Sequence, residues 1–132
     1  VALWVLWAAF RLMWTRWLGH GHAASIQTLL PQGPLETMLW IGVSITAGFC
    51  EEIVFRGYFH RQFEILTQSR WMALALQALL FGVSHGYQGI EACLKITLVG
   101  GLFGLCAIWR RSLRPGIVAH AWSDILGGIF GV

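Results

Sequence analysis

Hydrophobic positions along this chain come in long runs broken by short polar turns, not in the alternation of a half-buried strand. Five runs stand out: Val1 to about Leu18, about Leu35 to Phe59, about Trp71 to Ser84, about Ile90 to Trp109, and about Gly116 to Val132. A helix needs about 20 apolar residues to cross the hydrocarbon core. The second and fourth runs meet that length. The third is short, and the fifth ends with the sequence. The first is interrupted by Arg11 and Arg16 and reads as a span only with difficulty; it suits a helix lying along the interface, with Trp4, Trp7, Trp14 and Trp17 as anchors. Turn chemistry separates the runs. Gly19 to Gly33 carries Gly19-His20-Gly21-His22 and Pro31-Gln32-Gly33-Pro34, Arg61 to Arg70 is polar, Gly86 to Gly89 is tight, and Arg110 to Pro115 is a basic turn. The pattern predicts an all-α, polytopic transmembrane bundle of about four to five helices.

Composition strengthens that reading. Hydrophobic residues make up 57% of the 132 and charged ones 11%, with 8 Trp and 8 Phe against a single Lys. Mean hydropathy is +0.65 at 14.8 kDa. A soluble domain of this size needs more polar residues to cover its surface, and a disordered chain is poor in apolar ones. The net charge of +3 does not point to nucleic acid, because the nine basic residues sit singly or in short groups between apolar runs. That is how membrane proteins carry their orientation signal. It places the Arg61–Arg70 and Arg110–Arg114 loops together on the cytoplasmic side of a multi-pass protein. The chain starts apolar at Val1 without Met and reads as one N-terminally truncated transmembrane domain over residues 1–132. Cys50, Cys93 and Cys106 lie in apolar runs without a CxxC and are expected to be buried thiols. Gly100 with Gly104, and Gly127 with Gly131, form small-xxx-small pairs suited to helix contact.

The informative residues are the ionisable ones inside apolar runs: Glu51, Glu52, Arg56, His85, His120 and Asp124. Such groups are costly in lipid and mark functional sites. Glu52 and Arg56 are four apart, as are Phe81 and His85, and His120 and Asp124, so each pair shares a helix face. Glu51 points roughly 100° away from Glu52 and lacks its cation. Glu51 lies roughly 14 Å from a helix end at His60, and Asp124 a similar distance from Pro115. His120 is shallower at roughly 8 Å, and His85 deeper at roughly 21 Å from Trp71. That mismatch closes if the third helix starts near Arg70 and projects past the interface.

Each residue also has a plainer reading. Glu52 with Arg56 is a buried ion pair, and His120 with Asp124 a packing hydrogen bond. His20 and His22 are loop residues, too few for a metal site. Glu36 and Glu91 sit near helix starts, where acids suit the dipole.

Glu51-Glu52-Ile53-Val54-Phe55-Arg56 reads as EExxxR, Phe81 to His85 as FxxxH, and His120 to Asp124 as HxxxD. In this order on successive hydrophobic helices they resemble the CPBP family of intramembrane endopeptidases. That family comprises the type II CAAX prenyl proteases and their bacteriocin-processing and self-immunity relatives. The resemblance covers a motif-bearing core of about residues 36–132. It implies a peptidase in which Glu51 and His85 activate water and His120 and Asp124 stabilise the oxyanion. Glu52, Arg56 and Phe81 take structural or substrate-orienting roles. It implies a membrane-anchored or prenylated protein substrate, in contact with membrane lipid. Asp124 departs from the Asn typical of the prenyl proteases. An amide donates to an oxyanion, whereas an ionised carboxylate only accepts.

Metal dependence stays open at this point: one divalent ion such as zinc on Glu51, His85, His120 and Asp124, or a metal-free Glu51 base. No HExxH is present. Two other classes remain. One is a non-catalytic immunity or scaffold protein of the same family. The other is a proton-coupled transporter fragment, against which the small number of helices and the lack of a repeat both count.

Overall fold

The computed structural model describes residues 29–130, together with Ala9, Leu12, Met13 and Arg16, which are helical. The expected Trp anchors, Arg11, His20, His22, Gly131 and Val132 lie outside the described residues. Among those described, the structure is all-α, as the pattern predicts.

Helix α1 spans Pro34–Glu51. Pro34 suits the first turn, where its missing N–H costs nothing. Glu36 accepts the Gln32 backbone N–H at 2.6 Å and so closes the helix start. The helix then widens into a π segment, Glu52–Phe59, in which the His60 N–H reaches the Phe55 carbonyl. It tightens again into α2, His60–Thr67. These three pieces form one continuous helix, Pro34–Thr67.

The expected polar loop from Arg61 to Arg70 is therefore mostly helix. The turn is confined to Gln68, in the left-handed region at φ 52°, and Ser69. Ser69 caps α3, Arg70–Ser84, by accepting the Met72 N–H at 3.3 Å. Polarity at Arg61 and Glu64 resembled a loop because a helix that projects beyond the apolar layer no longer needs apolar residues.

A 3₁₀ turn at Gly86–Gln88 follows α3. Gly89, at φ 94°, is a position that only glycine adopts readily, and it leads into α4, Ile90–Arg110. Arg111 ends α4 at φ 49°, and α5 spans Arg114–Phe130.

Two antiparallel pairs build the bundle. In the first, α3 packs on α4 through small residues. Gly100 lies against Phe81 and Ala78, Gly104 against Leu74 and Gln77, and Gly82 against Cys93 and Thr97. The fully buried Gln77 donates from Nε2 to the Gly100 carbonyl at 3.2 Å. The expected role of Gly100 and Gly104 is met.

In the second pair α1 packs on α5. A Cβ on Gly48 would stand 2.7 Å from the Ala121 backbone nitrogen, so the backbones cross in contact there. Trp40 lies against Gly128 and donates from Nε1 to the Asp124 carbonyl at 2.9 Å. Gly128 is thus a packing glycine as well, since the helix turns that face toward Trp40. The thiol expectation also needs correction. Cys106 is buried, but Cys93 is only half-buried and Cys50 is exposed, since Cys50 lies on the outward face of α1.

Two helices, Pro34–Thr67 and Ile90–Arg110, are long and apolar enough to cross a membrane, whereas Arg70–Ser84 is shorter. Only 17% and 22% of their apolar windows are buried, unlike the core helices of a soluble protein. Leu39, Val43, Leu98, Leu105 and Val118 all face outward. The polar residues go inward instead. Ser44, Glu52, Arg56, Gln77, His120 and Ser123 are buried.

Candidate active site

The π segment, α3 and α5 converge on His120. Its Nδ1 lies 3.1 Å from Glu52 Oε1. A carboxylate only accepts, so Nδ1 carries the hydrogen. On the other side of the ring, Nε2 stands 3.7 Å from Glu51 Oε2 and 3.6 Å from Asp124 Oδ2. These are charge contacts rather than direct hydrogen bonds. Glu51 and Asp124 are partly exposed while Glu52 is fully buried, so the open side of the ring is the Nε2 side.

Glu52 Oε1 also stands 3.1 Å from Arg56 Nη1, one π turn along. The expected ion pair is present, and both side chains are fully enclosed. Phe81 covers it. The Arg56 guanidinium sits 4.1 Å from the Phe81 ring centre and 5.6 Å from that of Phe103, which are cation–π contacts in a dry setting. The same Phe81 ring meets His85 edge-on at 4.9 Å between centres and His120 at 5.9 Å.

His85 caps α3, with its Nδ1 2.8 Å from the Phe81 carbonyl and 3.2 Å from Ser84 Oγ. A carbonyl only accepts, so Nδ1 carries a proton and Nε2 is the ring nitrogen left without that bond. No ion pair within 4.0 Å joins His85 to a described carboxylate; it reaches the cluster through Phe81.

The depth mismatch is resolved by the helix extension. Glu51 lies roughly 24 Å from Thr67 and His85 roughly 22 Å from Arg70, at the rise of a helix. They stand level because the π segment and α3 run antiparallel with Phe55 against Phe81, at 4.9 Å between ring centres.

Sequence spacing missed two features. Glu52 is the bridge to His120, across 68 positions. Gly116, in the first turn of α5, touches that bridge: a Cβ there would stand 2.7 Å from Glu52 Oε2. Pro115-Gly116 looked only like helix-start chemistry.

Among the described residues no three of His, Cys, Asp or Glu are grouped so as to hold a divalent ion, and His85 stands apart from the carboxylates.

Ionisable groups gathered inside an apolar helical bundle mark a functional site. The sequence matches the family described as Type II CAAX prenyl endopeptidase Rce1-like over residues 33–126, well over half of the chain, and the chain belongs to that family. No curated protein and no solved structure matches it. The expected kinship with CPBP-type intramembrane proteases is therefore met, and the family is membrane-embedded.

Proposed function

We propose that this chain is an intramembrane endopeptidase that hydrolyses a peptide bond of a membrane-anchored or prenylated protein near the cytoplasmic face. The observation that carries the reading is the disposition around His120: Glu52 holds Nδ1, while Nε2 faces Glu51 and Asp124 on the open side. Glu51 has no such structural partner as Glu52 has in Arg56, and it takes the proton of the attacking water. His85 Nε2 orients that water by accepting a hydrogen bond from its second hydrogen, which stays on the oxygen. The water oxygen bonds to the scissile carbonyl carbon. Doubly protonated His120 donates from Nε2 to the oxygen that becomes negative, where a preorganised donor counts most. Collapse breaks the C–N bond, and the proton held by Glu51 passes to the leaving amine. Asp124, 3.6 Å from Nε2 on the same side as Glu51, balances the charge of that ring.

A groove of about 550 Å³ runs along the outer face of α1 past Leu39, Val43 and Cys50 and ends at Glu51. It suits an apolar substrate segment reaching the base from the lipid side. The Arg-bearing turns set the orientation: Arg61, Arg70, Arg110, Arg111 and Arg114 all lie at one end of the bundle, which the positive-inside rule places in the cytoplasm of a multi-pass protein.

The test compares N-terminal peptide profiles of membranes carrying wild type or Glu51→Gln at matched abundance. New N-termini confined to the wild type support the peptidase. Loss of a general base costs about 10²- to 10⁴-fold. Identical profiles with both proteins folded would sink it and favour an immunity or scaffold role. Cleavage that survives chelation is expected from the donor geometry. Chelator-sensitive cleavage restored by zinc would overturn the metal-free step.

A further inference from the structure

Tyr87 is an aromatic residue that the fold does not use as core. It is 67% exposed, on the Gly86–Gln88 turn that follows α3. Cβ atoms added at Gly86 and Gly89 would meet nothing within 4 Å, so the surroundings do not press the turn into place. Hydrogen bonds shape it instead. The Gln88 N–H donates to the His85 carbonyl at 2.9 Å, and Gln88 Nε2 donates to Tyr87 Oη at 2.9 Å. The turn folds back on His85, and the Tyr87 ring lies along the imidazole, with 6.2 Å between centres and 29° between planes. That is a stack within the range over which ring pairs attract.

The imidazole has a use for such a neighbour. Its Nδ1 is tied to the Phe81 carbonyl at 2.8 Å, which fixes one corner of the ring. A bond at one corner leaves the plane free to rock. Phe81 meets the imidazole edge-on, at 71° between planes, whereas Tyr87 meets it nearly parallel. A parallel ring is the contact that resists tilting. Nε2 lies away from the tied corner, so a tilt turns the direction from which it accepts a hydrogen bond, and such bonds weaken steeply with misalignment.

We propose that Tyr87 is a positioning residue for His85: its stacked ring sets the plane of the imidazole and so aims Nε2 at the attacking water. The catalytic part of this inference rests on the peptidase reading. The orientation of His85 does not, and the test reads the two separately.

The first measurement labels the protein in detergent with diethyl pyrocarbonate, which acylates accessible unprotonated imidazole nitrogen, and follows each histidine by mass spectrometry. His60, His85 and His120 fall in different tryptic peptides. Tyr87→Leu keeps bulk but loses the flat ring. It should speed labelling of His85 about two- to tenfold, the scale of one ring pair, and leave His60 and His120 unchanged. Tyr87→Phe keeps the ring and should label as the wild type does. Unchanged labelling of His85 in Tyr87→Leu would overturn the proposal. So would an equal rise at all three histidines, which marks a loosened fold.

The second measurement uses the substrate found by N-terminal profiling. Tyr87→Leu should lower kcat about two- to tenfold at unchanged KM, and Tyr87→Phe should restore it. In a His85→Ala background Tyr87→Leu should cost nothing further, because both changes act through one ring. A raised KM at unchanged kcat would make Tyr87 a substrate contact and overturn the positioning role, as would a full additional loss in His85→Ala. A wild type that cleaves nothing sinks the peptidase reading, and the labelling then decides the orientation of His85 by itself.

Discussion

Glu52 Oε1 stands 3.1 Å from His120 Nδ1, across the interface of the π segment with α5, and the same oxygen stands 3.1 Å from Arg56 Nη1. One carboxylate oxygen therefore fixes the orientation of the candidate oxyanion donor and balances a buried cation. Because these two tasks fall on one atom, stability and reactivity are linked at this residue.

Glu52→Gln separates them. The amide oxygen still accepts from His120 Nδ1, but Arg56 loses its counter-charge. Removing one partner of a buried ion pair costs about 3–5 kcal/mol. Thermal unfolding in detergent should show a large loss in Tm, and Glu52→Gln combined with Arg56→Met should recover most of it. An unchanged Tm in the single variant would show that the pair is not enclosed as described.

Asp124 stands beside the open nitrogen of His120. Its Oδ2 stands 3.6 Å from His120 Nε2, while its backbone carbonyl, not its side chain, holds Trp40. Asp124→Asn should therefore leave the fold intact. The amide adds a donor on the oxyanion side, so cleavage should be retained or rise. Asp124→Ala removes the contact, and cleavage should fall by about 10²-fold or more, the scale of a lost oxyanion-side group. Matched rates for Asn and Ala would mean that the Asp124 side chain takes no part.

Much of the site could be read from the chain because charge inside an apolar run is conspicuous. Glu51, His85, His120 and Asp124 stood out for that reason, and the spacing of four tied Glu52 to Arg56. The same logic hid the link from Glu52 to His120. A spacing rule reports neighbours on one helix and is silent about a partner on another. The π segment was hidden too, since it depends on which carbonyl the His60 N–H selects and leaves little trace beyond Gly57 within the helix. Helix ends were misplaced where polarity served as the signal. Arg61 and Glu64 belong to a helix that has left the apolar layer, and the extra turns to Thr67 are what bring Glu51 level with His85.

Gly48 and Gly42 lie on the same helix and should respond oppositely to alanine. Gly42 has nothing within 4 Å of an added Cβ, whereas at Gly48 the Cβ meets the Ala121 backbone at 2.7 Å. Gly42→Ala gains helix propensity of about 0.5–1 kcal/mol. Gly48→Ala forces α1 and α5 apart, at about 1–3 kcal/mol for overpacking. Tm should rise slightly in the first and fall in the second. A similar rise in both would mean that the helices do not cross at Gly48.

Gly116→Ala tests the bridge without removing any charged group. The added Cβ would stand 2.7 Å from Glu52 Oε2 and 3.3 Å from its carboxyl carbon. A flexible side chain could step aside, but this one is held on its other oxygen by both Arg56 and His120. Displacement of Glu52 must therefore break one of those contacts or push α5 outward. Loss of the His120 contact frees the ring to turn, so cleavage should drop while helix content by circular dichroism stays near that of the wild type. Gly57→Ala is the matched comparison. Its Cβ meets only the Leu113 side chain, at 3.3 Å, and Glu52 only at its backbone oxygen, 4.0 Å away. Cleavage lost in Gly116→Ala and kept in Gly57→Ala places the effect on the Glu52 carboxylate. Equal cleavage in the two would mean that the orientation of His120 does not depend on Glu52.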